Sequence, residues 1–396
     1  MAAASRLWAG AMTEAAPGPK ADAPLTGLTV FELGHSVAAP FAGLILSDLG
    51  AEVIKVENPA TGDAARGWGP PFWEGDAAAF HTLNRGKKGL AVDLADPQEV
   101  GALRRLILAR GDVVIQNLRA GAADRYGIGA AALTAAKPDL IYCDLGAFGG
   151  TGPLAHKPGY DPLMQAFGGL MSVTAEGGDR PPVRVGASVV DLGAGLWSVV
   201  GILTALLTRK ATGRGGLVAT SLYETALAWV SIPMAGYQAS GAIPLPFGSG
   251  IAEIVPYQCF ATRDGWLMIA AGNDNLFRRL CAVLARPDLA ADQRFQTNRD
   301  RVSHREIIVP MLAEVIRDWP MANLQHQLDA SGIPNAPLQN IAEAAHHPQT
   351  AALGIIQSGP EGSLPVVGLP LRLDGARPAM RWPTPKLGEH NDLLSD

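Results

Sequence analysis

Residues 28–57 read LTVFELGHSVAAPFAGLILSDLGAEVIKVE and contain a complete strand, turn, helix and strand. The β-forming run 28–33 leads into a glycine-containing turn, and apolar residues at helical spacing follow over 41–49. Pro40 suits the first turn of this helix, where the missing N–H of proline has no cost. A second β-forming run covers 51–57. This order predicts a right-handed βαβ crossover between parallel strands.

The same alternation continues along the next 160 or so residues, as expected for one sheet built from repeated βα units. Further strands are predicted at 90–94, 112–117, 140–145, 183–190 and 217–221, with helices at 97–109 and 192–208. Strands that alternate with helices of this length form parallel sheets covered on both faces. The predicted fold is therefore α/β, with a Rossmann-like large domain whose open sheet is mostly parallel.

The chain is long enough for a second domain. Two β-forming runs within 258–271 are joined by a hairpin signal, and helical patterns follow them. We predict a large α/β domain over 25–227 that is completed by 341–396, and a smaller α+β domain over 228–340. Residues 1–24 are rich in Ala and Pro without apolar periodicity, which predicts a disordered extension.

The composition excludes several classes of protein. With 48% hydrophobic and 17% charged residues, the chain is of the globular rather than the disordered type. A net charge of −5 without a Lys/Arg block argues against nucleic-acid binding. The longest apolar run, 192–207, is shorter than the roughly 20 residues of a bilayer-spanning helix, so we predict a buried core helix and no membrane contact.

The residues that commonly hold metals or form disulfides are dispersed. Cys143, Cys259 and Cys281 include no CxxC pair, so we do not predict a disulfide framework. We predict a cytoplasmic location, because proteins of that reducing compartment rarely contain disulfides. The histidines are scattered, and the adjacent His346 and His347 cannot share one helix face. No metal site is therefore expected.

The carboxylates next to predicted helices are the first candidates for chemistry. Asp191 stands between the predicted strand 183–190 and the long helix, at the sheet edge where open α/β folds bind ligands. Asp161 also precedes a helical pattern. Each residue has two readings, a reactive carboxylate or a helix N-cap. The basic turn 84–88 (NRGKK) suits either a phosphate contact or a solvated turn.

The first turn leaves a nucleotide cofactor open as an alternative. Glu57 ends the second strand, where a ribose-binding acid would lie, which suits a nicotinamide or flavin enzyme. Residues 34–40 (GHSVAAP) lack the G-x-G-x-x-G pattern, however. Walker A and G-x-S-x-G motifs are also absent from the sequence.

Seven linked stretches between residues 24 and 394 resemble one family, the class III CoA-transferases. This family includes formyl-CoA transferases and carnitine CoA-transferases, and it also contains the α-methylacyl-CoA racemases. The stretches are 28–59, 83–94 (LNRGKKGLAVDL), 114–129 (VIQNLRAGAADRYGIG), 159–175 (GYDPLMQAFGGLMSVTA), 187–195 (ASVVDLGAG), 201–216 and 254–274. Each is weakly specific alone, and their common order makes the resemblance specific.

The resemblance implies roles for particular residues. Asp191 matches the nucleophilic aspartate and Asp161 an assisting acid; the ordinary aspartate pKa of about 3.9 would leave Asp191 ionised at pH 7. The positions that match CoA contacts are His35, Val37, Ala38, Asn58, Val92, Leu94, Ala95, Asn117, Leu118, Arg119, Arg125, Lys157 and Tyr160. Gly248, Ser249 and Gly250 resemble a glycine loop that closes over the site, with an ordinary turn as the alternative. An interlocked homodimer is implied as well.

Departures from the family patterns bear on the substrate. Val37 and Asn58 replace a glutamine and an arginine of formyl-specific members, which argues against formyl or oxalyl specificity. Tyr160 replaces the histidine of the racemases, and a phenol is a poor base at neutral pH. The stretch 254–258 (IVPYQ) resembles the dicarboxylate-using branch.

We therefore expect transfer of CoA from a donor such as succinyl-CoA to a carboxylic acid, without a metal or redox cofactor. A 2-methylacyl-CoA racemase and an inactive CoA-binding protein are the alternatives.

Overall fold

The computed structural model describes residues 23–177, 180–360 and 363–395. The predicted disordered extension, 1–24, lies outside the described residues except for its last two. Two compact units are present. Of the described residues, the first unit takes 23–145, Gly195–Ala219 and those from Gln357 onward, and the second takes those within Gly146–Ala194 and Thr220–Ile356.

The strands, numbered along the chain, are β1 (Thr29–Leu33), β2 (Glu52–Glu57), β3 (Phe72–Trp73), β4 (Asp76–Ala77), β5 (Lys88–Ala91), β6 (Val113–Gln116), β7 (Ile141–Gly146), β8 (Gly216–Ser221), β9 (Tyr257–Ala261), β10 (Trp266–Ala270), β11 (Asn335–Pro337), β12 (Ile356–Gln357) and β13 (Val366–Val367). Most of the strands predicted for the large sheet are confirmed within one or two residues at each end. The run predicted at 90–94 begins earlier, at Lys88.

The α-helices are α1 (Ala38–Asp48), α2 (Ala78–Asn84), α3 (Pro97–Arg110), α4 (Ala122–Arg125), α5 (Ala130–Ala136), α6 (Asp161–Phe167), α7 (Leu170–Val173), α8 (Val189–Thr212), α9 (Leu222–Trp229), α10 (Ser231–Ser240), α11 (Asp274–Val283), α12 (Pro287–Ala291), α13 (Asn298–Ser303), α14 (Arg305–Ile316), α15 (Met321–Ala330), α16 (Ile341–His346) and α17 (Pro348–Leu353). Short 3-10 helices cover Ala64–Gly67, Gln293–Phe295 and Asn391–Leu394.

The first unit is built on a large sheet. Within the described residues, six strands lie in the order β5-β2-β1-β6-β7-β8. Strand β1 pairs in parallel with β2 and β6, β2 with β5, and β6 with β7. When only the six strands of this sheet are numbered from 1 to 6 in chain order, their order across the sheet is 3-2-1-4-5-6, as in doubly wound nucleotide-binding folds. The predicted α/β fold with a mainly parallel sheet is confirmed, and its strand order reverses between β1 and β6.

Alternate residues of the central strands supply two separate cores. Val30 packs on one face of the sheet together with Val53 and helix α1. Phe31, its neighbour, packs on the other face with Ile54 and residues of α3. Because successive side chains of a strand point to opposite faces, an uninterrupted apolar strand buries both faces. This burial fixes the position of the turns at the carboxyl edge.

Helix α8 corrects two of the predictions. The strand predicted at 183–190 is absent, since its first residues are exposed and the chain is already helical from Val189. The helix has 24 residues, more than predicted, and is long and apolar enough to cross a membrane by length and composition alone. Core helices of soluble proteins can be equally long and apolar. It is not wholly buried, however, because Leu196, Trp197, Val200 and Leu207 are exposed.

The second unit contains an antiparallel sheet of three strands among the described residues, in the order β11-β10-β9. The predicted hairpin is confirmed, with Leu267 opposite Phe260. Apolar residues of β9, β10 and helices α11 to α15 form its core.

The boundaries of this unit differ from the predicted 228–340, because residues 146–194, 220–227 and 341–356 belong to it as well. The first unit is therefore completed by the chain from Gln357 and not from residue 341. Helix α6 packs against α9, and Tyr223 N donates to Ala147 O at 2.9 Å.

Candidate active site

The carboxyl edge of the large sheet gathers the predicted CoA positions of the first unit. Each group follows a parallel strand, and parallel strands end at the same edge of a sheet. The residues are His35, Val37 and Ala38 after β1, Asn58 after β2, Val92, Leu94 and Ala95 after β5, and Asn117, Leu118 and Arg119 after β6. Arg125 follows in helix α4. The fold thus places these sequence-predicted residues along one edge.

His35 and Asn117 face each other where the strand order reverses. The backbone N of His35 donates to Asn117 Oδ1 at 3.0 Å, and Asn117 Nδ2 donates to His35 O at 2.9 Å. Ser36 has a φ of 68° and donates its N–H to Asp63 Oδ1 at 3.0 Å. Burial lowers the pKa of His35. The turn is therefore fixed by side chains from two other parts of the chain.

A buried group of four charges lies beneath this turn. Lys55 Nζ contacts Glu32 Oε1 at 3.1 Å and Asp63 Oδ2 at 2.9 Å, and it donates to Gly34 O at 2.8 Å. Lys87 Nζ donates to Glu32 Oε2 at 2.6 Å and to Pro40 O at 2.9 Å. The charges balance, which offsets part of the desolvation cost.

The basic turn 84–88 was predicted to be either a phosphate contact or a solvated turn. Neither prediction holds for Arg85 and Lys87. Arg85 is fully buried and binds Asp48 at 2.6 Å, and Lys87 is 4% exposed. Burial and Glu32 act in opposite directions on Lys87, and burial prevails to lower its pKa to about 8. Arg85 and Lys87 form buried ion pairs with Asp48 and Glu32 and are therefore not available to a phosphate.

Two acceptors at the carboxyl end of β2, Glu57 in the strand and Asn58 after it, already have partners. Asn58 Oδ1 accepts the backbone N–H groups of Ala60 and Thr61 at 2.9 and 3.1 Å, so it forms an Asx turn. Glu57 pairs with Arg66 through contacts of 2.7 and 2.8 Å, which does not favour its reading as a ribose-binding acid. Arg119 and Arg125, by contrast, are exposed.

Asp161 and Asp191 meet in the second unit. Asp191 lies in the first turn of α8, and Asp161 is the first residue of α6. Asp161 Oδ2 accepts the backbone N–H of Val190 at 2.8 Å and that of Asp191 at 3.3 Å. Asp161 therefore caps the helix of Asp191 rather than its own helix. The capping interpretation of Asp191 is not supported, because Asp161 takes that role.

The ionisation of Asp191 differs from the sequence expectation. Burial and, next, the negative charge of Asp161 raise the pKa of Asp191 to about 7. The expectation that it is fully ionised at pH 7 is therefore wrong for the free protein. A carboxylate with little solvation is a stronger nucleophile than one fully hydrated, which suits a covalent role.

Two residues around Asp191, Gln165 and Trp229, were missed by sequence analysis. Gln165 is fully buried, and its Nε2 donates to Asp161 Oδ1 at 2.6 Å. Trp229 Nε1 donates to Val189 O at 3.1 Å, and its ring leaves no space for a side chain at Gly193. The i, i+4 spacing of Asp161 and Gln165 was a usable signal, since such residues share a helix face.

The other predicted positions of the second unit are more exposed. Lys157 Nζ lies 5.8 Å from the centre of the Phe148 ring, and Tyr160 is 57% exposed. In the glycine loop, Gly248 N donates to Ala175 O at 2.8 Å and Cys259 N donates to Ser249 Oγ at 2.9 Å. The loop is thus held to two other segments of its unit.

No group of three or more His, Cys, Asp or Glu within 23–177, 180–360 and 363–395 is arranged to hold a metal ion.

A doubly wound sheet with a glycine turn at its reversal point is the architecture of nucleotide-binding α/β enzymes. The family model described as CoA-transferase family III matches residues 25–391, and the chain belongs to this family and is an enzyme of its class.

Relatives match over nearly their full lengths. The succinate–glutarate CoA-transferase of Agrobacterium fabrum is 36% identical, with 94% of this chain and 95% of that protein covered. The acetyl-CoA:oxalate CoA-transferase of Acetobacter aceti is 36% identical, with 97% of each chain covered. The crystal structure of a CAIB/BAIF family protein from Brucella suis is similar with a TM-score of 0.85 and 38% identity, covering 95% of this chain and 99% of that one.

Proposed function

We propose that this enzyme transfers CoA from succinyl-CoA or a similar dicarboxylyl-CoA to a carboxylic acid, with Asp191 as the nucleophile. The observation that carries the assignment of the residue is the pair of carboxylates at the start of α8. Asp161 caps the helix through Val190 and Asp191, which leaves the Asp191 carboxylate free of that structural role. Family membership supplies the reaction class.

The reaction balances without a cofactor. The Asp191 carboxylate attacks the donor carbonyl carbon, which breaks the thioester and gives a mixed anhydride and CoA thiolate. The thiolate attacks the aspartyl carbonyl, forms an aspartyl-CoA thioester and releases the donor acid. The acceptor carboxylate then attacks this thioester, and the released thiolate takes the new acyl group. Asp191 is regenerated as a carboxylate.

The dicarboxylate class is supported by the names of two relatives. One name contains succinate and glutarate and the other oxalate, all of them dicarboxylates. The oxalate relative is as similar as the other, so the exclusion of oxalate that Val37 and Asn58 suggest is not retained and oxalate belongs among the acceptors to test. The presence of Tyr160 instead of histidine favours transfer over racemisation.

We also propose that CoA lies along the residues at the carboxyl edge of the sheet, with Arg119 and Arg125 at its phosphates. An exposed guanidinium suits bidentate phosphate binding. An interlocked homodimer would cover exposed apolar residues of α8 such as Trp197. A cytoplasmic location and the absence of membrane contact remain parts of the proposal.

The experiment is a mass-spectrometric screen with succinyl-CoA as donor and succinate, glutarate, oxalate and monocarboxylates as acceptors. We expect a new thioester with a dicarboxylate and a hydroxylamine-sensitive CoA adduct on the peptide that contains Asp191. Asp191→Ala should abolish both while still binding CoA, and Glu314→Gln, an exposed acid, serves as control.

Turnover by Asp191→Ala would overturn the assignment. In deuterated water, α-deuterium in a chiral 2-methylacyl-CoA without transfer would identify a racemase.

A further inference from the structure

The buried side chain of Gln165 joins two segments that approach Asp191. Its Nε2 donates to Asp161 Oδ1 at 2.6 Å, and its Oε1 accepts the N–H of Val185 at 2.8 Å. Gln165 is fully buried, and Asp161 is 2% exposed. Because Gln165 follows Asp161 by one helical turn, both side chains lie on the same face of α6. One amide thus links this face to the segment that leads into α8.

The two oxygens of Asp161 have different partners. Oδ1 accepts from Gln165, and Oδ2 accepts from the N–H groups of Val190 and Asp191 at 2.8 and 3.3 Å. A carboxylate held at both oxygens has one orientation. Without Gln165, Oδ1 has no other hydrogen-bond partner among the contacts found in the described residues, and the carboxylate can turn away from the helix terminus.

We propose that Gln165 is a positioning residue of the transfer reaction, which fixes Asp161 as the cap of α8 and thereby sets the place and charge state of Asp191. This inference rests on the proposed function, in which Asp191 is the nucleophile. Gln165 itself has no role in bond making, since its amide is fully engaged with the protein.

The effect on charge follows from the hydrogen bond. An amide donor stabilises the negative form of a carboxylate. The charge of Asp161 is, after burial, the second cause that raises the pKa of Asp191 to about 7. Arg184, on the segment before α8, is exposed and donates to Val185 O and Gly186 O. Helix α9 presents Thr225 and Trp229 to the start of α8, and neither ionises at these pH values.

The test compares two substitutions with opposite electrostatic effects. Gln165→Met removes the donor that orients the Asp161 carboxylate, which can then turn away from the start of α8. The negative charge of Asp161 then opposes the ionisation of Asp191 less, and Asp191 ionises more easily. The midpoint of the rise of kcat/KM with pH should move to lower pH. Gln165→Glu adds a carboxyl group beside Asp161 and should move that midpoint to higher pH. Both variants should lower kcat by about 10- to 100-fold with KM for the acyl-CoA nearly unchanged.

Gln327→Met, at an exposed glutamine of α15, is the matched control and should keep the wild-type profile. A purely structural role would reduce the active fraction without moving either midpoint. If Gln165→Met does not fold, Gln165→Glu, which keeps the side-chain volume, still carries the test.

Unchanged midpoints in both variants would overturn the role of Gln165, whether or not kcat falls. The CoA adduct on the wild-type peptide that contains Asp191 tests the proposed function separately. If that adduct is absent, the nucleophile assignment itself fails, whatever the Gln165 variants do. If the adduct is present and the midpoints do not move, only the positioning role fails.

Discussion

The side-chain amide of Asn117 binds both backbone polar groups of His35, accepting from its N–H at 3.0 Å and donating to its carbonyl at 2.9 Å. This two-point contact reproduces the hydrogen bonding of a strand pair just past the ends of β1 and β6. It closes the sheet edge at the place where the strand order reverses, which is where doubly wound folds bind their ligands. An asparagine is suited to this position because it carries a donor and an acceptor on one planar group.

Asn117→Ala should therefore loosen the turn at His35. Two hydrogen bonds worth about 0.5–1.5 kcal/mol each are lost, so the free energy of unfolding should fall by about 1–3 kcal/mol. The dissociation constant for CoA should rise about tenfold, in proportion to the disorder that binding must then remove. Urea unfolding and calorimetric titration with CoA measure the two effects. Asn323→Ala, at an exposed position of α15, should change neither, and a normal CoA affinity in Asn117→Ala would contradict the role of the contact.

The rate should depend on pH through Asp191. Burial and Asp161 raise its pKa to about 7, above the ordinary value, and only the ionised carboxylate attacks a thioester. We expect kcat/KM to be constant above this pH and to fall by about tenfold per pH unit below it.

Asp161→Asn keeps a capping side chain but removes the negative charge that opposes the ionisation of Asp191. The midpoint of the rise of kcat/KM with pH should therefore lie at lower pH in this variant than in the wild type. Stopped assays of thioester exchange between pH 5 and 9 measure both profiles. An identical midpoint in the two proteins would show that Asp161 does not influence Asp191.

The sequence predicted the large sheet well because its strands are continuous apolar runs with both faces buried. The hairpin of β9 and β10 was predicted for a similar reason, since a glycine turn separates two β-forming runs. In strand β1, Phe31 is fully buried and Val30 almost fully buried, so the apolar sequence pattern agrees with the tertiary structure.

The run 183–190 had the same kind of local pattern but a different environment. Val183 is 53% exposed, and no strand forms there. The approach of Asp161 to the start of α8 could not be predicted, because the irregular segments before both helices have no periodicity from which a path follows. The burial of Lys87 could not be predicted, because its partner Glu32 lies 55 residues away in the sequence. Without that partner, the local sequence does not distinguish a buried lysine from an exposed one.

Lys87 and its neighbour Lys88 offer a matched comparison of buried and exposed ion pairs. The Lys87–Glu32 contact of 2.6 Å is fully buried, whereas Lys88 contacts Glu52 at 2.8 Å with both side chains about one-third exposed. Lys87→Met leaves Glu32 with one cation and should lower the stability by about 3–5 kcal/mol. Lys88→Met should cost no more than about 1 kcal/mol.

Removing both partners of the buried pair tests the origin of the loss. Lys87→Met combined with Glu32→Gln restores a balance between Lys55 and Asp63 and should recover part of the stability. The midpoints of urea unfolding are compared for the wild type, Lys87→Met, Glu32→Gln and the double variant. A double variant less stable than the sum of its single variants predicts would show that the charge balance is not the cause.

Helix α8 can approach α1 only because residue 195 is glycine. A Cβ at Gly195 would lie 2.6 Å from the carbonyl oxygen of Ala38, and this oxygen belongs to backbone that cannot turn aside as a side chain does. Gly195→Ala should therefore displace one helix and lower the stability by about 1–3 kcal/mol. Because Ala38 is also a predicted CoA position, the affinity for CoA should fall in the same variant.

Gly236→Ala is the control, since Gly236 lies in helix α10 and a Cβ added there would meet no other atom within 4 Å. There alanine has the higher helix propensity, and the stability should rise by up to about 1 kcal/mol. Thermal unfolding and CoA titration distinguish the two glycines, because helix propensity alone would make both substitutions stabilising. A stabilised Gly195→Ala with normal CoA affinity would mean that α8 has room to move away from Ala38 at no cost.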